Sequence, residues 1–218
     1  MTPVGGQLAR FLMAATVACA LAGCSGSADA GAEPSKPAKT EKAKPKTLED
    51  KVWETTSTAE ALKLLVPAFI DTHDSDDEAR GLFVRWSAEH LRWADVEVAK
   101  DETTFGLVMK DSAAERGKRI CYGARIMQIA KVSGTTGSRP IYGGTFSTRA
   151  GKIVHFYAVG SSGALEEGSR ARFCGFVTGR YSYANVGGGT THAISLVGMF
   201  DLAENKEPPA AAAVVGAR

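Results

Sequence analysis

Between residues 118 and 200 the chain carries five short segments rich in β-branched and aromatic residues. They read "KRICYGARIMQIAKV", "PIYGGTFST", "KIVHFYAV", "RARFCGFVTGRYSY" and "HAISLVGMF". Between them lie "SGTTGSR", "RAG", "GSSGALEEG" and "ANVGGGTT", whose Gly, Ser, Thr and Asn are turn and loop residues. Side chains alternate across a strand, and five strands on short connections must lie beside one another, so this stretch predicts a small sheet. Val154, Phe156 and Ala158 fall on one strand face and predict core. The link before the fourth segment has room for a helical turn at Ala164 to Glu167.

The preceding residues change period. "STAEALKLLVPAFI" sets Ser57 and Glu60 at capping-box spacing, aligns Ala61, Leu64, Leu65 and Ala68, and kinks or ends at Pro67. "SDDEARGLFVRWSAEHLRWADV" repeats the device with Ser75 and Glu78 and carries a stripe of Leu82, Trp86 and Trp93, joined by Phe83 and Leu91. Asp74 and Asp76 match the first two ligands of a calcium loop, but Ala79 stands where the turn glycine belongs and Arg85 where the bidentate glutamate belongs. His90 has no second His or Cys at ligand spacing, so no metal is expected. The fold class predicted is α+β, with a helical N-terminal part packed on a five-stranded sheet unit.

Charge separates these two parts. Residues 48–111 hold 7 basic and 15 acidic side chains, whereas residues 112–202 hold 11 basic and 4 acidic. The acidic and basic halves either neutralise one another internally, the preferred reading, or leave the basic half to meet an anionic partner.

The N-terminus has a different logic. Arg10 precedes 12 uncharged residues, Phe11 to Ala22, a length that suits the core of an export signal and falls short of the ~20 residues of a spanning helix. Leu21-Ala22-Gly23-Cys24 resembles the lipobox of bacterial lipoproteins. The resemblance implies cleavage after Gly23, a diacylglyceryl thioether on Cys24 and acylation of the new amino terminus. Several acyl chains on one residue anchor stably where a single chain binds only marginally. Such a protein sits on the periplasmic side of an envelope membrane, and Ser25 favours the outer over the inner one. Residues 25–47 hold three prolines, five lysines and no large apolar residue, which predicts a disordered tether. The expected organisation is a signal peptide at 1–23, lipidated Cys24 and tether at 24–47, an acidic helical region at 48–111, a strand-rich domain at 112–202 and a disordered tail at 203–218.

The order of the five strand segments, the long glycine-bearing first one and the tight turn between the second and third resemble an OB-fold, a small β-barrel. "LVMKDSAAERGKRICYGARIMQI" is similar to the entry of OB domains in small exported bacterial proteins. Lys118, Arg119, Gly123, Ile126, Gln128 and Ile129 carry that pattern. Under OB topology the first and fourth strands are antiparallel neighbours, which brings Cys121 and Cys174 within reach of a disulfide. Export favours the bond over two separate thiols. The resemblance also implies a binding face on the second and third strands. Arg139, Tyr142, Arg149, Lys152 and Tyr157 would line it, flanked by loops with Thr135, Thr136, Ser138 and Asn185 to Thr191.

No hydrolase, metalloprotease or redox motif is present, and no cofactor is expected. The reading is therefore a non-catalytic, lipid-anchored module binding an anionic glycan, lipid or envelope protein. Export argues against nucleic acid. The alternatives are an envelope enzyme using Cys174 with His155 or His192, and a purely structural component of an envelope complex.

Overall fold

The computed structural model describes residues 45–73, 77–133 and 139–206, all within the second of two units that divide at Ala43/Lys44. Cys24, Ser25, Ser75, Thr135, Thr136 and Ser138 lie outside the described residues.

Among the described residues, six helices precede the main strands. α1 (Leu48–Trp53) opens on a capping box in which Thr47 and Asp50 satisfy each other's backbone N–H. α2 (Thr58–Leu65) starts at Ser57, whose hydroxyl accepts from the Glu60 N–H, and passes into a 3-10 turn (Val66–Ala68) that tolerates Pro67 at its start. A two-residue strand, β1 (Thr72–His73), follows. α3 (Glu78–His90) is capped by Asp77, which accepts from the Ala79 N–H, so the cap falls two residues later than the expected Ser75. Among the described residues α3 is the longest helix, at 13 residues. The stripe expected to form one helix through Val96 breaks at Leu91, where the backbone turns extended before α4 (Trp93–Val96). Arg139 supplies the physical reason. Its guanidinium donates to the carbonyls of Ser87, Ala88 and Leu91 at 2.7, 3.0 and 2.6 Å. The Ser87 carbonyl also keeps its helical bond from the Leu91 N–H, while those of Ala88 and Leu91 are acceptors that a continuing helix would have used. α5 (Phe105–Lys110) and α6 (Ser112–Glu115) lead into the sheet.

The sheet contains β1 and five longer strands: β2 (Arg119–Lys131), β3 (Ile141–Thr148), β4 (Ile153–Val159), β5 (Arg170–Ala184) and β6 (Thr190–Phe200). β2 is antiparallel to β3 and to β5, β3 to β4, and β5 to β6, while β4 runs parallel to β6. These five pairings close a ring. The chain is thus of mixed α/β class, with a six-stranded sheet of which five strands form a ring.

Inside the ring sit Phe146, Phe156, Phe173 and Phe200, with ring centroids 5.2 to 5.6 Å apart, backed by Ile120, Ile126, Val154, Ile194 and Leu196. A second cluster covers the outer face, where Leu65, Phe69, Phe83 and Trp86 pack on Cys174, Phe176, Val197 and Met199. Central β5 and β6 are therefore buried on both faces and lose the alternation seen in β4. Gly175 and Gly198 face each other there. A Cβ on Gly198 would stand 2.0 Å from the Cys174 carbonyl oxygen, so only glycine permits this strand spacing.

The link between β4 and β5 forms two turns, closed by Leu165 N–H to Ser162 O and Ser169 N–H to Glu166 O, in place of the expected helical turn. The segment expected to fray begins as α7 (Ala203–Lys206). There Asn205 is buried and donates to the carbonyls of Ser161 and Phe200.

Opposite charges meet between the acidic and basic stretches. Asp71 pairs with Arg116 at 3.1 Å and Arg180 at 2.7 Å, Glu102 with Arg119 at 2.6 Å, and Glu97 with Arg172 at 3.8 Å. Burial works to raise the Asp71 pKa, but hydrogen bonds from the Arg180 backbone, Ser112 and the Arg180 and Arg116 side chains outweigh it and hold the group at about 2.

Candidate functional site

β2 bends near its middle. Its first half pairs with β5 and its second half with β3, which leaves the outer edge of Arg119–Gly123 without a strand. Two acidic residues occupy that edge. Asp101 accepts from the Cys121 N–H at 2.8 Å, and Glu102 accepts from the Arg119 N–H at 2.8 Å while its own N–H donates to the Arg119 carbonyl. Thr104 then caps α5 and accepts from the Leu107 N–H. Val108 is fully buried against the inner cluster.

A cavity of about 1160 Å³ opens between residues 103–106, the bend of β2, the β3–β4 turn and the start of β5. Register determines its character. Arg125 is paired with Arg170 on one side and Ser147 on the other, and Gly123 is paired with Arg172. Residues 123 and 125 share a strand face, so Arg125, Arg170 and Arg172 gather around a position that has no side chain. A Cβ built on Gly123 would meet nothing within 4 Å, so the floor is open. From the turn come Arg149 and Lys152, the latter with Nζ 5.7 Å from the Phe105 ring centroid.

Five cations line this cavity against one carboxylate, Asp101. Arg172 is neutralised by Asp201 at 3.2 Å and Glu97 at 3.8 Å. Arg125, Arg149 and Arg170 form no ion pair among the described residues. Tyr122 also lines the cavity. Its hydroxyl is buried without a hydrogen bond of good geometry, and burial, aided by the Asp101 charge, pushes its pKa up.

The five residues expected on one face do not converge. Arg149 and Lys152 enter the cavity. Arg139 is spent on the end of α3, and burial lowers its pKa. Tyr142, opposite Ala158, packs on the inner cluster. Tyr157, opposite Gly143, is one residue out of phase with Ala158 and lies on the outer face, edge-on to His155 at 5.1 Å. His155 stacks on Tyr181 at 4.2 Å and sets Nδ1 3.4 Å from the Ser195 hydroxyl. In the β5–β6 loop, Asn185 accepts from the N–H groups of Gly187 and Gly189, leaving Val186 exposed at the tip.

Cys121 and Cys174 are paired in register and joined by a disulfide, with Cα atoms 4.1 Å apart. Cys174 is fully buried, so the thiol that a nucleophilic mechanism requires is already bonded. His192 turns its Nδ1 to the Ser182 hydroxyl at 2.9 Å. No group of three or more His, Cys, Asp or Glu suited to a metal occurs among the described residues, nor any helix long and apolar enough to cross a membrane.

Sequence reasoning missed Gly123, Arg125 and Arg170 as site residues. A local trace exists, since Arg170 and Arg172 alternate at a strand start and Arg125 stands two residues beyond Gly123. What makes them a site is the pairing of residues 45 positions apart. No protein-family model matches the chain, no curated protein matches its sequence and no solved structure matches its fold.

Proposed function

We propose that this chain is a lipid-anchored protein of the bacterial cell envelope that binds an anionic ligand in the basic cavity, without catalysis. Acylated Cys24 holds it to a membrane facing the periplasm, the outer membrane being favoured by Ser25, and residues 25–47 let the folded unit stand clear of the surface. In this reading the ring is an OB-like barrel. Support comes from its strand order, in which the first strand flanks the second and fourth and the third runs parallel to the fifth.

The observation that carries the binding reading is the set of cations left over. The acidic residues of the first half neutralise Arg116, Arg119, Arg172 and Arg180, all placed where the two halves meet. Arg125, Arg149 and Arg170 form no ion pair among the described residues and line a concave site. A folding role is served by the first set, and an anionic partner by the second.

The test uses an Arg149→Ala/Lys152→Ala double variant and a heparin-type anionic resin. The proposal expects the variant to elute at lower salt than wild type with an unchanged melting temperature. Unchanged elution, or a lower melting temperature with unchanged elution, refutes the binding reading. For the anchor, Cys24→Ala is expected to abolish metabolic labelling by a palmitate analogue, and persistent labelling would refute it.

A further inference from the structure

Placing two arginines directly opposite on antiparallel strands works against the sheet, because like charges in such a pair repel. Arg125 and Arg170 stand in that relation, with no ion pair among the described residues to relieve it and a glycine next along the same face. Glycine in a strand interior also weakens it, and such a residue often marks where a ligand or another backbone approaches closely. Gly123 needs no glycine-only conformation, since its φ is not positive, and no neighbour forbids a side chain there. Two local costs thus coincide at the floor of one cavity, and an oxyanion over Gly123 reverses both. It bridges the two guanidinium groups, and it occupies the space a Cβ would fill. Arginine suits this seat, because its planar fork meets phosphate oxygens in pairs.

That seat does not exhaust the charge. Arg149 and Lys152 reach the cavity from the β3–β4 turn, a different element from β2 and β5. One phosphate group carries a charge of ≈ −1.5 to −2 and so is balanced by Arg125 and Arg170 alone. The volume of about 1160 Å³ accommodates far more than one phosphate. We infer that the cavity selects ligands with at least two phosphate groups, one seated over Gly123 between Arg125 and Arg170 and the next held by Arg149 and Lys152. This rests on the anion-binding reading above and adds the ligand class and the seat. Condensed phosphates and the head groups of lipids that carry two phosphates share that chemistry.

The test is calorimetric titration of the full-length protein in neutral detergent with inorganic phosphate and with tripolyphosphate at constant ionic strength. Tripolyphosphate is expected to bind at least tenfold more tightly than phosphate. Arg170→Ala is expected to weaken tripolyphosphate about tenfold or more, since a charge-assisted contact at such a site is lost. Gly123→Val should do the same while keeping or raising the melting temperature, because a β-branched residue suits an open strand position. Binding reduced by Arg149→Ala but untouched by Arg170→Ala and Gly123→Val overturns the seat and leaves the anion-binding reading standing. Equal affinity for phosphate and tripolyphosphate overturns the two-group requirement alone. No binding of either, or binding that none of these variants weakens, overturns both. Micelles doped with cardiolipin, whose head group carries two phosphates, distinguish the source. Competition between them and tripolyphosphate identifies a head group as an occupant, and its absence restricts the site to soluble polyphosphates.

Discussion

Asp71 holds the first helices to the sheet, and its loss has a calculable cost. One oxygen accepts from the Arg180 N–H at 2.9 Å and the Arg116 guanidinium at 3.1 Å, the other from Arg180 Nε at 2.7 Å, and both lie within 2.8 Å of the Ser112 hydroxyl. Its pKa falls from 3.8 to about 2 on folding. At 1.36 kcal/mol per unit this corresponds to about 2.5 kcal/mol, and partial exposure of the side chain reduces it to about 1–1.5 kcal/mol. The sign follows from linkage. The folded-state pKa is depressed, so the contribution is complete well above pH 4 and is lost as pH falls through 4 towards 2. Asp71→Asn removes the charge at every pH and leaves two arginines short of a counter-ion. The variant is expected to melt roughly 3–5 °C below wild type at pH 7, for a domain of this size. The difference should shrink steadily between pH 4 and pH 2. Urea melts of both proteins across pH 2–7 measure it. A stability gap that is independent of pH over that range would refute the assigned role of this carboxylate.

Other perturbations address other links. The disulfide spans a sequence separation of 53, so Cys121→Ala/Cys174→Ala is expected to cost about 4 kcal/mol in the chain-entropy model, measured by urea denaturation with and without reductant. Gly198→Val drives a side chain into the Cys174 carbonyl and should abolish soluble folded protein or lower the melting temperature sharply, as read by circular dichroism. Arg139→Ala removes three hydrogen bonds at the end of α3, although the Ser87 carbonyl keeps its bond from the Leu91 N–H, and should cost about 1.5–3 kcal/mol by the same denaturation assay, without altering retention on an anionic resin.

The strands were legible because their cues are local. The first expected segment, 118–132, became β2 at Arg119–Lys131, and the third, 152–159, became β4 at Ile153–Val159. Phe156 was legible as core for the same reason, sharing a face with Val154 and Ala158. The break of the second long helix was not, because the group that ends it, Arg139, is 48 residues beyond the Leu91 carbonyl it binds. Arg139 read as a loop cation open to a ligand for the same reason, since nothing nearby in sequence announces those three carbonyls. Tyr142 and Tyr157 illustrate a parity effect. Being 15 residues apart on paired strands, they oppose Ala158 and Gly143, and one residue of offset sends them to opposite faces. The cavity was half legible. Net charge located an excess of cations in residues 112–202, but which of them remain unpaired depends on where Asp71, Glu97 and Glu102 come to rest.

Native mass spectrometry of the protein extracted from its own membrane in mild detergent tests the central claim most directly, by comparing wild type with Arg125→Ala/Arg149→Ala. The account predicts a bound phosphorylated species on wild type, at one copy per chain, that is lost from the variant while the acylated polypeptide mass at Cys24 is retained. Wild-type protein carrying no anionic species, or the same species on both proteins, would contradict it.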